Sequence, residues 1–136
     1  MKTSTLLLLI LLGFGNPGFS NPFVKIPANV QAALVSNFSH VENVKWFKIQ
    51  DAYGAKFQID NKLMYAFFNE SGVMYMINAQ MSYSELNPNI KEKLDADYAH
   101  CFVKAAFRLV ERSGYESYMI VLENMQTGEE FEVPFK

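Results

Sequence analysis

The sequence predicts an α+β fold: two helix-then-meander repeats forming one antiparallel sheet, with two helices packed on one face. Three observations predict it. Apolar residues recur at helical spacing in two places, Val30-Leu34-Phe38 and Ile90-Leu94-Tyr98. Each stripe gives way to runs that alternate with period two, the pattern of half-buried strands. The two stretches also superpose at a shift of 60 residues.

The chain opens on an export segment. Lys2 supplies a positive start, Leu6 to Leu12 are an unbroken run of Leu and Ile, and Gly13, Gly15 and Pro17 break any helix. Gly18-Phe19-Ser20 then sets small residues three and one positions before Asn21. That order is what a cleaved secretory signal requires. The apolar run of seven residues is far short of the ~20 that span a bilayer. Residues 1–20 are therefore read as a signal peptide, with Asn21 the first mature residue and the protein exported, to the periplasm or beyond the cell. No Cys lies near the cut to carry a lipid.

Removing 20 of the 136 residues leaves 116, one domain's worth. A chain of this size buries about two-thirds of its unfolded surface and needs no staple. Losing Lys2 moves the formal charge from −2 to −3. With no basic run and acids in excess, nothing attracts nucleic acid.

Pro27 suits the first turn of a helix, where its missing N–H would be unpaired anyway. Val30, Leu34 and Phe38 form that helix's apolar stripe, with Ala33 beside them and Ser39-His40 ending it. Val44 to Ile49 reads as a strand and Asp51-Ala52-Tyr53-Gly54 as a turn. Ala55, Phe57 and Ile59 alternate with Lys56 and Gln58 in a second strand. Asp60-Asn61 turns the chain into a third strand, Leu63 to Phe68. Asn69-Glu70-Ser71-Gly72 is a loop, and Val73 to Ile77 a fourth strand.

Asn87 can cap a second helix, with Pro88 at its first position. Strands Val103 to Glu111, Tyr115 to Glu123 and Phe131 to Phe135 follow, divided at Ser113-Gly114 and Thr127-Gly128. At the shift of 60, Val30 falls on Ile90, Leu34 on Leu94, His40 on His100, Phe47-Lys48-Ile49 on Phe107-Arg108-Leu109, and Gly54 on Gly114. This divides the mature domain, residues 21–136, into repeat one at about 26–80 and repeat two at about 86–136. Neither half could bury its apolar face well alone.

These residues also carry a family resemblance. Pro27-Ala28-Asn29-Val30 to Phe38, Val44-Lys45-Trp46, Tyr53-x-x-x-Phe57-x-Ile59 and the loop Asn69 to Gly72 resemble the exported bacterial PepSY-like proteins, also called β-lactamase-inhibitor-like. In that family a proline-led helix precedes a Val-Lys-Trp strand, a Tyr-x-Val-x-Phe strand and a strand ending near Gly. The resemblance spans about residues 26–135, and Asn87-Pro88 to Tyr98 is similar to the start of a second copy. It departs at Ala106, which stands where the first copy has Trp46. The resemblance implies helices on a sheet and a protein-binding sheet surface. It does not imply that this chain inhibits a β-lactamase.

Chemistry is sparse. His40 and His100 sit at equivalent helix ends, where a dipole favours imidazolium. Either they are a base or metal pair, or helix-end residues duplicated together, and no motif supplies further ligands. No serine lies in a nucleophile elbow. Glu130 and Glu132 alternate with Phe131, Val133 and Phe135, as on a solvated face of an end strand. Cys101 packs as a small apolar residue, pairs with another chain or acts as a reactive group. Asn37 and Asn69 begin glycosylation triplets that chance explains. No catalytic residue, cofactor or metal is expected.

What stands out is 12 Phe, 7 Tyr and 7 Met, enough to place apolar groups on both faces of the first sheet. Helices can cover only one face. Because Phe107 and Leu109 repeat Phe47 and Ile49, that pair is assigned to the helix side and Trp46 to the open side. Trp46, with Met64, Phe68, Met74 and Met76, then forms the candidate binding face, of a composition enriched at interfaces. The competing placement packs Trp46 beneath a loop or the N-terminal lead. The function expected is a non-catalytic module that grips a protein or peptide. The alternative is a structural or self-associating envelope protein whose sheet face is buried in a homodimer.

Overall fold

The computed structural model describes residues 24–136; the expected signal peptide and the expected start at Asn21 lie outside them. Among the described residues, two helices and seven strands follow in the order expected, one helix and four strands, then one helix and three strands, and the strands form a single antiparallel sheet in sequence order. The described residues form two compact units: 24–80 with 109–116, and 81–108 with 117–136.

In the first unit, helix α1 spans Ala28–Asn37 and strands β1 to β4 span Glu42–Ile49, Ala52–Ile59, Lys62–Phe68 and Met74–Met81. Pro27 stands just before α1 rather than inside it, its carbonyl accepting from the N–H groups of Val30 and Gln31 at 3.1 Å. The β1–β2 turn is Gln50-Asp51, not the expected Asp51 to Gly54, so Gly54 lies within β2. At the β2–β3 turn Asp60 and Asn61 have φ of 51° and 65°, the left-handed pair that matches strand twist in a two-residue hairpin. The Asn69 carboxamide oxygen accepts from the N–H groups of Ser71 and Val73 at 2.9 and 3.0 Å. Gly72, at φ 82°, passes so close that a Cβ there would lie 3.0 Å from the Asn29 carbonyl oxygen. This loop thus rests on the first turn of α1.

Val30 and Leu34 of α1 pack on Tyr53, Ala55, Phe57, Ala66 and Phe68, with Trp46, Met64 and Met74 against the same cluster. The assignment of faces is therefore corrected: Trp46 lies under α1, and Phe47 points to the other side. The physical reason is the row Trp46–Ala55–Ala66 across three strands. Two alanines let a helix backbone approach where larger residues would hold it off. Period two separates the faces, and the small residues choose between them.

The second unit holds a 3₁₀ turn at Tyr83–Glu85, helix α2 at Pro88–Asp97, and strands β5 to β7 at Cys101–Glu111, Glu116–Asn124 and Glu130–Phe135. Asn87 caps α2 as expected, its side-chain oxygen accepting from the Ile90 N–H at 3.0 Å, with Pro88 at the first helical position. Leu86, Ile90 and Leu94 pack on Ala106, Ile120 and Leu122. Phe107 is buried but belongs to the other face, a second correction, and Ala106 again supplies the small residue below a helix. Cys101 is half-buried and packs at this cluster's margin.

Candidate binding face

The face of the first unit turned away from α1 carries two rows of side chains, each aligned directly across β1 to β4. One row is Phe47–Gly54–Phe67–Met76 and the other Lys45–Lys56–Tyr65–Asn78. Gly54 makes the first row possible, because a Cβ there would lie 2.2 Å from the Phe47 ring. That ring meets Phe67 and Tyr65 edge-on, with centroids 6.1 and 6.5 Å apart. Phe67 also stacks at 6.3 Å on Tyr75, which occupies a register shift in β4. Phe47, Phe67 and Met76 are buried, while Ile49, Leu63 and Tyr75 are half-buried around them.

The second row changes steadily from wet to dry. Lys45 is exposed, Lys56 half-buried, Tyr65 buried, and Asn78 has 0% of its surface exposed. Desolvation and, behind it, the charge of Lys45 hold the Lys56 ammonium below its ordinary pKa, and burial pushes the Tyr65 phenol up. Neither the amide nitrogen nor the carbonyl oxygen of the Asn78 side chain has a hydrogen-bond partner. A buried polar group is normally paired, so this one marks a special position.

Of the residues expected to form the binding face, Trp46, Met64, Phe68 and Met74 come together, but beneath α1. Trp46 and Phe68 are ring neighbours at 6.0 Å. Met76 lies on the opposite face beside Phe67. The residues missed were Lys56, Tyr65 and Asn78. The fourth strand was expected to stop at Ile77, so Asn78 fell outside it. An asparagine inside a strand, where this residue type is depleted, was the available signal.

In the second unit the strand face opposite α2 is built differently. Met119 pairs with Pro134 and Val121 with Glu132. Lys104 binds Glu130, and Glu123 at 3.4 Å. Glu132 is not solvated as expected: its carboxyl oxygens are buried without a partner, and burial raises its pKa to about 7. His40 and His100 each lie three residues beyond a helix, exposed. Among the described residues no group of three or more His, Cys, Asp or Glu could hold a metal ion, and no helix is long and apolar enough to cross a membrane.

No protein-family model matches the chain, and no curated protein does. Solved structures do. A DUF2874 family protein from Bacteroides uniformis aligns with a TM-score of 0.75 at 18% identity, over 82% of this chain and 83% of that one. A Bacteroides eggerthii protein whose name proposes a periplasmic location aligns at 0.77 and 14% identity, over 83% of each chain. A BLIP-like protein from Bacteroides fragilis aligns at 0.66 and 17% identity, over 83% of this chain and 80% of that one. The chain is similar in fold to these proteins.

Proposed function

We propose that this is an exported, non-catalytic binding module that grips a protein or peptide through the sheet face turned away from its helices. In this reading the two halves are PepSY-like repeats, both helices cover one side of the sheet, and the other side is left for recognition. The observation that carries it is the half-buried rim of Ile49, Leu63 and Tyr75 around the buried Phe47, Phe67 and Met76, on the strand face turned away from the α1 cluster. Preorganised aromatic rings backed by strand hydrogen bonds lose little entropy on binding. The fold shared with a BLIP-like protein and with one named for a periplasmic location supports both the mode and the compartment. The recognition surface proposed is thus the reverse of the Trp46 face.

The test is capture of partners from the producing cell's envelope by the mature chain, with Leu63→Asp and Val35→Asp as paired variants. Val35 is 70% exposed on α1 and serves as the control. Loss of a captured protein with Leu63→Asp and its retention with Val35→Asp support the reading. Equal capture by both variants, or a mature chain that is a stable dimer by mass, overturns it.

A further inference from the structure

We propose that the free edge of β1, from Lys45 to Ile49, accepts one extended strand of a partner protein, antiparallel to it and reading apolar-acid-apolar-apolar-acid. This surface lies at the end of the sheet and binds through main-chain atoms. The inference therefore goes beyond the face reading above and stands or falls apart from it.

Among the described residues no strand lies beyond β1 or beyond β7, so each is an edge whose outward N–H and C=O groups are open to pairing. The two edges are finished differently. In β7 the Asn124 N–H donates to the Glu129 carbonyl at 2.8 Å. Alternation along the ladder then turns the main-chain groups of Glu130, Glu132 and Pro134 outward. Pro134 has no N–H to offer and closes that edge. In β1 the two-residue turn Gln50-Asp51 makes Ile49 and Ala52 a hydrogen-bonded pair. The same alternation points the main-chain groups of Lys48 and Trp46 outward, and β1 contains no proline. The turn ends this open window on one side. A register shift between Glu42 and Lys45 ends it on the other, where Asn43, at φ 55°, donates its side-chain N–H to Gln58 Oε1 at 2.8 Å.

The side chains along the window choose the strand. Trp46 and Lys48 flank the edge on the α1 side, and Lys45, Phe47 and Ile49 flank it on the reverse side. Lys45 and Lys48 are exposed, and the Lys48 ammonium lies 5.6 Å over the Tyr53 ring. Trp46, at the margin of the α1 cluster, and Ile49 are half-buried, so an added strand covers apolar surface on both sides. Residues directly opposite across an antiparallel pair interact. In its own N-to-C order the incoming strand thus sets an apolar residue against Ile49 and an acid against Lys48. Apolar residues against Phe47 and Trp46 follow, then an acid against Lys45. Lysines on an edge deter indiscriminate apolar pairing and favour a strand that brings carboxylates. Main-chain bonds at Trp46 and Lys48 supply affinity, as when extended segments add to a sheet edge, and the alternate side chains supply specificity.

The experiment titrates the ¹⁵N-labelled mature chain with the blocked peptide Ac-Thr-Val-Glu-Val-Val-Glu-Thr-NH2 and with its counterpart carrying Lys for both Glu. The acidic peptide is expected to change the emission of Trp46, the single tryptophan, and to slow hydrogen exchange at the Trp46 and Lys48 amides. It should bind at least about tenfold more tightly than the Lys peptide, an advantage that shrinks with salt. Lys45→Glu should remove most of that preference. N-methylation of the first Glu or of the third Val, whose amides face Lys48 and Trp46, should abolish binding. N-methylation of the second Val, whose amide faces away, should leave it. Equal binding of the acidic and Lys peptides overturns the inference, as do unprotected Trp46 and Lys48 amides or equal damage from all the methylations. Protection of those amides that grows with protein concentration, before any peptide is added, would assign the edge to a second copy and overturn it too. Should Lys45→Glu not fold, the methylated peptides decide. Failure of the peptide to bind while envelope capture still depends on Leu63 sinks this inference and leaves the face reading standing.

Discussion

The helix-facing and helix-free sides of the two units differ in how they differ. Under each helix the recipe is the same: two aliphatic residues four apart, Val30 and Leu34 or Ile90 and Leu94, set on a face that contains alanine, Ala55 and Ala66 or Ala106. The reverse faces share the matched, buried Phe47 and Phe107 and otherwise diverge. One carries aromatic rings, two lysines and an unpaired amide; the other carries Met119, Val121 and an unpaired carboxyl, with Lys104 engaged by acids. Packing geometry constrains the first pair of surfaces and leaves the second free to diverge. The residues that declare the fold are therefore not those that declare a use for it.

The largest effects should test the shared recipe. Leu34→Ala and Leu94→Ala each remove a side chain that is 2% and 4% exposed, and each should lower stability by about 2–5 kcal/mol. Chemical unfolding would measure both. A loss within ~0.5 kcal/mol of the parent in either unit would show that the two helices are not equivalent supports.

A smaller effect separates two glycines that the sequence aligns, Gly54 and Gly114. Gly54 lies inside β2 beneath the Phe47 ring, whereas Gly114 sits in a turn at φ 92° with nothing within 4 Å of an added Cβ. Gly54→Ala should cost about 1–3 kcal/mol by overpacking, and the companion change Phe47→Leu should recover part of it. Gly114→Ala should cost about 1 kcal/mol through backbone strain, with no recovery from Phe47→Leu. A double-mutant cycle reads the difference, and equal coupling of both glycines to Phe47 would contradict these roles.

Element order was legible in the sequence because it rests on periodicity, and both helices and all seven strands came out of alternation and turn residues. The faces were misread for a definite reason. Phe47 and Phe107 do occupy matching positions, but an aromatic residue can fill a helix interface or a sheet's reverse side equally well. The small residues beneath the helix decide, and Ala106 in place of Trp46 looked like a departure when it was the cue. Asn78 and Glu132 stayed hidden because their character comes from burial and from the lack of a partner. Neither property belongs to a residue type, and alternation with core residues made Glu132 look solvated.

Glu132 provides the finest test, since it asks whether the second unit's reverse face also carries an unmet polar group. Its carboxyl oxygens have no hydrogen-bond partner, and Lys104 is engaged by Glu130 and Glu123. Burial raises its pKa from 4.5 to about 7, so the folded protein keeps a proton that the unfolded chain releases earlier. Below pH 4.5 both states are protonated. Between there and about pH 7 the unfolded chain binds fewer protons, and stability falls as pH rises. One proton sets a ceiling of about 1.4 kcal/mol per pH unit on that slope, and solvent at this half-exposed residue lowers it further. Glu132→Gln holds an uncharged carboxamide at every pH and should flatten the curve in that window while leaving the fold intact. Urea unfolding at intervals from pH 4 to 8 would show it. Parallel curves for parent and variant would mean that the carboxyl reaches water, and the reverse face of the second unit would then hold no buried charge.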